Sequence, residues 1–420
     1  MTLNKSIYPW VVVALLWVVA ALNYVDRQVI FSIFPLLRSD LHVTNVQLGM
    51  LGTVFLWVYG VVSPFGGYLA DRFNRRKVIL ASFGIWSVVT FLLGLSHTYL
   101  QVLSAQALMG VSEACYLPAA LALIADYHGE ATRSRAIGLH QSGLYAGVAL
   151  GGVGGGWIGQ HYGWHGVFYV LGAGGVFYFS ILFVALKDSP RPKRGKTSES
   201  PMLPFTKAIR ELASNGAFLI LVLANCFAAI AFWCIYAWLA LFLFERYRLS
   251  LTSAGFSSTF YIQVASFAGI LGGGWLADGW TRTNRRARGW TQAIGLMIAG
   301  PALLLVGSTS SWWILVPCLV CFGVGRGFFD CNLMPVLCQI IPAELRATAY
   351  GIFNFTSCVC GGVMALVAGM LKDSVGLAVA IEISALCMIA GAVCLVILSV
   401  TRLGVTGVPG LALVTGTKES

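Results

Sequence analysis

The chain has 420 residues, 58% of them hydrophobic and only 10% charged, with a mean hydropathy of +0.81. Soluble domains carry about 25% charged residues, so this composition cannot cover a water-facing surface of that size, and lipid must be the solvent. The net charge of +11 is dispersed over separate loops, which excludes the single basic face that nucleic-acid binding needs.

Twelve apolar runs follow one another along the chain, near residues 9–37, 45–70, 77–95, 99–125, 133–160, 165–186, 215–244, 252–277, 289–307, 312–341, 346–371 and 375–401. Each suits a helix crossing a hydrocarbon core about 30 Å thick. The first is too long for a signal-peptide core and lacks a small-residue cleavage site, so it reads as a permanent helix. The fifth carries Gly143, Gly147, Gly151, Gly155 and Gly159, a stripe that lets a neighbouring helix approach closely.

Connections are short except from Lys187 to Asn215, a stretch rich in Pro, Ser and basic residues. The expected layout is a six-helix bundle at 1–186, a cytoplasmic linker at 187–214, a second six-helix bundle at 215–402 and a cytoplasmic tail at 403–420. With the N terminus inside, 21 of the 27 Lys and Arg residues fall on the cytoplasmic side and 4 outside, leaving Arg27 and Arg326 in the membrane. That asymmetry predicts a multi-pass protein of the cell (inner) membrane with both termini cytoplasmic.

The 11 cysteines lie within the predicted helices without metal-ligand spacing, and read as packing residues. No nucleophile and base constellation or nucleotide motif occurs. The expectation is therefore no metal, no cofactor and no enzymatic activity.

Internal repeats support the division into halves. Gly67, Tyr68, Leu69, Ala70, Asp71, Arg72 recurs as Gly274, Trp275, Leu276, Ala277, Asp278, Gly279, each copy followed by a basic cluster. Arg133 with Gly138 matches Arg346 with Gly351 at the same spacing. On these motifs the chain resembles the major facilitator superfamily over roughly residues 9–401. The loop containing Asp71, Arg72, Arg75 and Arg76, with its degenerate copy at Asp278, is expected to latch one conformation.

Within that superfamily, three stretches resemble the anion:cation symporters and the Spinster-like transporters. They are Asn23–Tyr24–Val25–Asp26–Arg27, Gly110–Val111–Ser112–Glu113 with Pro118, and Tyr162–Gly163–Trp164 with Phe168. Two positions depart from the pattern. Gln106 stands seven residues before Glu113, where such families often carry Arg, and His165 follows Trp164 in place of Arg.

An ionisable side chain within a membrane is costly and by default marks a pathway or relay. Four carboxylates, Asp26, Glu113, Asp330 and Glu382, fall inside predicted spans, with Arg27 and Arg326 as the embedded bases. Glu113 and Arg326 are repeat equivalents in the fourth and tenth spans. Both are expected to face one cavity and to pair across the pseudo-two-fold until a substrate carboxylate displaces Glu113, which then takes up a proton.

The resemblance implies that Asp26 is a second protonation site and Arg27 an anion contact. Asp330, four residues after Arg326 on one helix face, is grouped with the substrate-binding residues, either orienting that guanidinium or taking a direct proton role. Glu382 reads as structural. Tyr24, Gln106, Tyr116, Gln141 and Asn332 are candidate hydrogen-bonding lining of the substrate site.

The reading that unites these features is a monomeric secondary transporter, a proton-coupled symporter of a small organic anion such as a sugar acid. A Spinster-like lipid or amphiphile carrier or exporter, and a ligand sensor that moves nothing, are the alternatives.

Overall fold

A computed structural model describes residues 7–188, 205–342 and 345–401. Arg402 and the expected tail lie outside the described residues, as does most of the linker. Among the described residues the regular structure is helical. The elements are α1 (Tyr8–Ser32), α2 (Phe34–Leu41), α3 (Asn45–Arg72), α4 (Arg75–Leu93), α5 (Tyr99–Glu113), α6 (Tyr116–Tyr127) and α7 (Glu130–Ala185). They continue as α8 (Phe205–Ser214), α9 (Gly216–Arg246), α10 (Leu251–Thr281), α11 (Ala287–Ser308), α12 (Trp312–Ile340), α13 (Arg346–Ser374) and α14 (Leu377–Thr401).

Eleven of these stretches are long and apolar enough to cross a membrane, with α5 and α6 forming one of them. The 56-residue α7 accounts for the twelfth crossing. At 1.5 Å per residue it would run roughly 84 Å if straight, far beyond one bilayer. It breaks at Gly163, whose φ of 72° and ψ of 171° lie where a side chain is poorly tolerated. Before the break α7 runs alongside α1 in the same direction. After it the chain returns, so that Tyr178 donates to the Leu15 carbonyl at 2.9 Å and Tyr8 donates to the Ala185 carbonyl at 2.8 Å.

The glycine stripe does the work expected of it, and its partner is α1. A Cβ on Gly147 would stand 2.3 Å from the Ala21 carbonyl oxygen, so the two backbones touch with no room for a side chain.

Two proline breaks shape the same region. Pro35 has no N–H to give the Phe31 carbonyl, and the first crossing divides into α1 and α2 at Ile33. Pro118 likewise leaves the Ala114 carbonyl without its helical donor, and the fourth crossing is interrupted at Ala114 and Cys115, directly after Glu113. Within the expected linker, α8 buries Ala208 and Leu212 and exposes Lys207, Arg210 and Glu211.

Helices α1–α7 form one half and α9–α14 the other. The halves meet along α3 against α13 and α7 against α10. Their buried apolar side chains fall into two clusters. One joins the second half to first-half residues such as Phe31, Phe34, Leu48 and Phe55. The other belongs to the first half alone and contains Val12, Leu16, Ile79, Phe83, Tyr116, Leu123 and Leu182. The halves therefore share a core at the end away from the basic loops and are parted at the end that carries them.

Replacing Gly147 with Leu drives a side chain into the α1 backbone. Overpacking of this kind costs about 1–3 kcal/mol, so the purified protein is expected to melt well below the unsubstituted chain; an unaltered melting temperature would contradict the packing described.

Candidate functional site

Asp26 and Arg27 are neighbours on α1, and helical geometry turns them about 100° apart. Arg27 faces α3 and α5. Its Nε donates to Glu113 Oε2 at 2.7 Å, and the two side chains are 6% and 0% exposed. The guanidinium carbon also lies 4.9, 5.1 and 4.4 Å from the ring centroids of Tyr24, Phe55 and Tyr59, so three aromatic faces enclose the cation. The second Glu113 oxygen, Oε1, is buried and unpartnered, as is Asn23 Nδ2. Asp26 turns the other way, into the first half, where Thr90 Oγ1 donates to it over a long 3.5 Å.

The second half carries its own pair. Arg326 Nε stands 3.3 Å from Asp330 Oδ2 one helical turn on, and the Arg326 guanidinium carbon lies 5.3 Å from the Phe232 ring centroid. These side chains are 22% and 28% exposed, unlike the sealed Arg27 pair. Arg326 opens onto a crevice between the halves, whose wall includes Gln28, Val148, Tyr236, Gln263 and Phe322. Tyr24 and Tyr236 are near enough to both guanidiniums to bear on their charge. The Tyr236 hydroxyl and Gln263 Oε1 are buried with no partner.

The expected pairing of Glu113 with Arg326 is thus corrected. Glu113 is held by Arg27 within its own half, because the first crossing packs directly against the fourth and brings a guanidinium closer than the pseudo-two-fold can. Asp330 lies beside Arg326 on the same helix, one turn on.

Two lining assignments also fail. Tyr116 points into the first half, donating to the Leu16 carbonyl at 2.7 Å with His140 Nε2 at 3.0 Å. Asn332 donates to the Phe328 carbonyl of its own helix at 3.2 Å. Gln106 is buried on α5, two turns before Glu113, with Nε2 unpartnered, and Gln141 on α7 is half-buried with Oε1 unpartnered. Glu382 packs beside Gly307, as a structural residue would.

The basic cluster of the signature loop acts inside the first half. Arg75 donates to the Ala122 carbonyl at 2.7 Å and pairs with Asp126, while Arg76 donates to the Phe183 carbonyl at 2.6 Å and to the Leu186 carbonyl. The Arg76 contacts cap the end of α7, where carbonyls lack helical donors and the dipole favours a cation, while Arg75 binds α6 within its second half. Among the described residues Arg72 donates to Tyr68 of its own helix, and Asp278 pairs with Arg288 at 3.0 Å in the second half. The Asp71 side chain lies outside the described residues.

A polar cluster at the far end, which sequence reasoning missed, adds to the packing that joins the halves. Glu245 at the end of α9 pairs with Arg38 of α2 at 2.9 Å and with Lys372 of α13. Asn45 of α3 donates to Asp373 of α13 at 2.5 Å. Each of these residues sits at a helix end, where a charge looks like ordinary loop polarity, so only their convergence distinguishes them. The aromatic enclosure by Phe55 and Tyr59 was equally invisible, since rings in an apolar helix carry no signal of their own.

The family model of the Major Facilitator Superfamily matches residues 16–365. The chain belongs to that superfamily. Among curated relatives, Protein spinster homolog 1 of Bos taurus is 29% identical over 364 residues, 80% of this chain and 68% of that protein. The D-galactonate transporter of Escherichia coli is 25% identical, covering 90% and 93% of the two chains, and a probable galactarate/D-glucarate transporter of Bacillus subtilis is 24% identical, covering 89% and 88%.

A solved bacterial homolog of the human lysosomal transporter Spinster superposes in its inward-facing, unoccupied conformation with a TM-score of 0.78. In its occupied conformation the TM-score is 0.75; both comparisons are at 22% identity and cover 94% of this chain and 96% of that one, so they bear on the fold. The superfamily and these relatives are transporters, so this membrane protein is a transporter and not an enzyme.

Two outcomes follow from the geometry. Removing one member of the sealed pair, as in Glu113→Leu, strands a buried cation and is expected to lower stability by about 3–5 kcal/mol, while Arg27→Leu with Glu113→Leu costs less than either single change. Melting curves of the three variants test this, and a double variant worse than both singles would speak against it. Substituting Glu245 with Gln removes its pairing with Arg38 across the halves, worth up to about 1 kcal/mol, enough to raise far-end opening by up to about fivefold, whereas its pairing with Lys372 lies within the second half. Faster maleimide labelling of a single cysteine placed at Thr259, which is buried beneath that closure, is the expected readout.

Proposed function

We propose that this transporter is a proton-coupled symporter of a small organic anion, a sugar acid or a related carboxylate. It works as a monomer by alternating access, with the halves at 1–186 and 215–402 rocking about the crevice between them. The basic loops and both termini face the cytoplasm of a cell membrane, by the asymmetry of Lys and Arg. The sugar-acid transporters among the relatives support the substrate class.

The observation that carries this reading is the sealed Arg27–Glu113 pair, with one Glu113 oxygen engaged and the other free of any partner. A carboxylate in such a place stays charged while its guanidinium is available and takes a proton once an anion claims that guanidinium. An incoming substrate carboxylate, met first by the more exposed Arg326, competes with Glu113 for Arg27. Glu113 is then protonated, and Asp26 on the opposite side of α1 serves as the second proton site. Tyr24, Gln106 and Gln141 supply hydrogen bonds to the bound anion.

A second reading, carriage of an amphiphile, is favoured by the apolar side chains of Val148, Ile235, Ile262 and Phe322, which line the crevice together with Arg326.

Purified protein in liposomes with an acid exterior should accumulate radiolabelled D-galactonate. Glu113→Gln should abolish accumulation driven by the pH gradient, by about 10-fold or more, while keeping exchange of internal for external galactonate. Accumulation by Glu113→Gln that still follows the gradient would refute the coupling role. Uptake of radiolabelled lysolipid with no uptake of galactonate would move the assignment to the second reading.

A further inference from the structure

The two ion pairs differ in a way the symport reading alone does not use. Arg27 is engaged by Glu113 and three rings and is almost wholly buried, whereas Arg326 faces the crevice with Asp330 beside it. Arg326 and Asp330 are four residues apart on one helix, so the pair survives any rigid-body movement of the halves. A carrier that imports must also return empty, and on the way its crevice closes around Arg326. A lone guanidinium in that closed, low-dielectric space would cost several kcal/mol.

We propose that Asp330 is a resident stand-in for the substrate carboxylate: it holds Arg326 when the site is empty and lets the crevice close without cargo. The inference rests on the transport reading above. When a substrate carboxylate binds Arg326, Asp330 swings off and needs other donors. Tyr145 of α7 and Tyr350 of α13 lie within electrostatic reach of its carboxylate. Their hydroxyls have no hydrogen-bond partner among the described residues. Arg326 thus carries one anion throughout the cycle, the protein's own on the return stroke and the substrate's on the loaded one. Asp330 is a positioning residue in this scheme and need not exchange a proton.

The test separates the two strokes. Exchange of radiolabelled for unlabelled D-galactonate across liposomes needs only the loaded carrier to move, whereas net uptake into empty liposomes also needs the unloaded carrier to return. In Asp330→Asn, net uptake should fall about tenfold or more relative to exchange, because the unpaired cation blocks the empty return. Asp330→Glu should restore net uptake. A ratio of net uptake to exchange unchanged from the parent protein, whether both rates persist or both collapse, overturns the proposal. If Asp330→Asn cannot be purified as a monodisperse species, the same ratio in Asp330→Ser decides. An unsubstituted protein that moves galactonate in neither assay removes the transport reading itself, a result distinct from a transporting protein whose ratio ignores Asp330.

Discussion

Each half of this transporter neutralises its own buried cation, and the remaining architecture follows from that. Arg27 is satisfied by Glu113 and Arg326 by Asp330, both without help from across the crevice. Ion pairs spanning two moving bodies would have to be broken inside a low-dielectric interior at every turnover, where the loss of one partner is severe. Confining each pair to one half leaves the mid-depth surfaces free to part.

Among the described residues, the ion pair that does span the halves lies where separating it costs little. Glu245, Arg38, Lys372, Asn45 and Asp373 gather at the far end, within reach of solvent, where ion pairs contribute a fraction of their buried strength. Beneath them α7 and α10 approach backbone to backbone, with a Cβ on Gly255 only 2.1 Å from the Gly152 carbonyl oxygen. Close apolar packing and a weak polar clasp together hold that end shut, while the opposite end is parted and a separate core stabilises the first half there.

The signature loop takes on a plainer meaning in this setting. Arg75 and Arg76 bind carbonyls of α6 and of the end of α7 and so stiffen the first half at the end where it stands apart. Among the described residues, an ion pair between the halves is formed by Arg38 and Glu245, which carry no recognisable motif.

The twelve crossings, the duplication and the short set of embedded charges were legible in the sequence because they are properties of composition and spacing. Apolar runs of a length set by the bilayer and repeats at constant spacing need no three-dimensional information. The glycine stripe announced a close helix contact, although not that α1 would fill it. Partnership among the charges was decided only by tertiary structure. Glu113 and Arg326 are equivalent by repeat, yet a pair forms between the groups that packing brings within 3 Å, and whether α1 or α12 comes nearer to α5 is a matter of helix crossing and rotation that spacing does not encode. For the same reason Tyr116 and Asn332 look like lining in the sequence and turn out to serve their own half, since a polar side chain on a buried helix takes whichever backbone group the fold sets beside it.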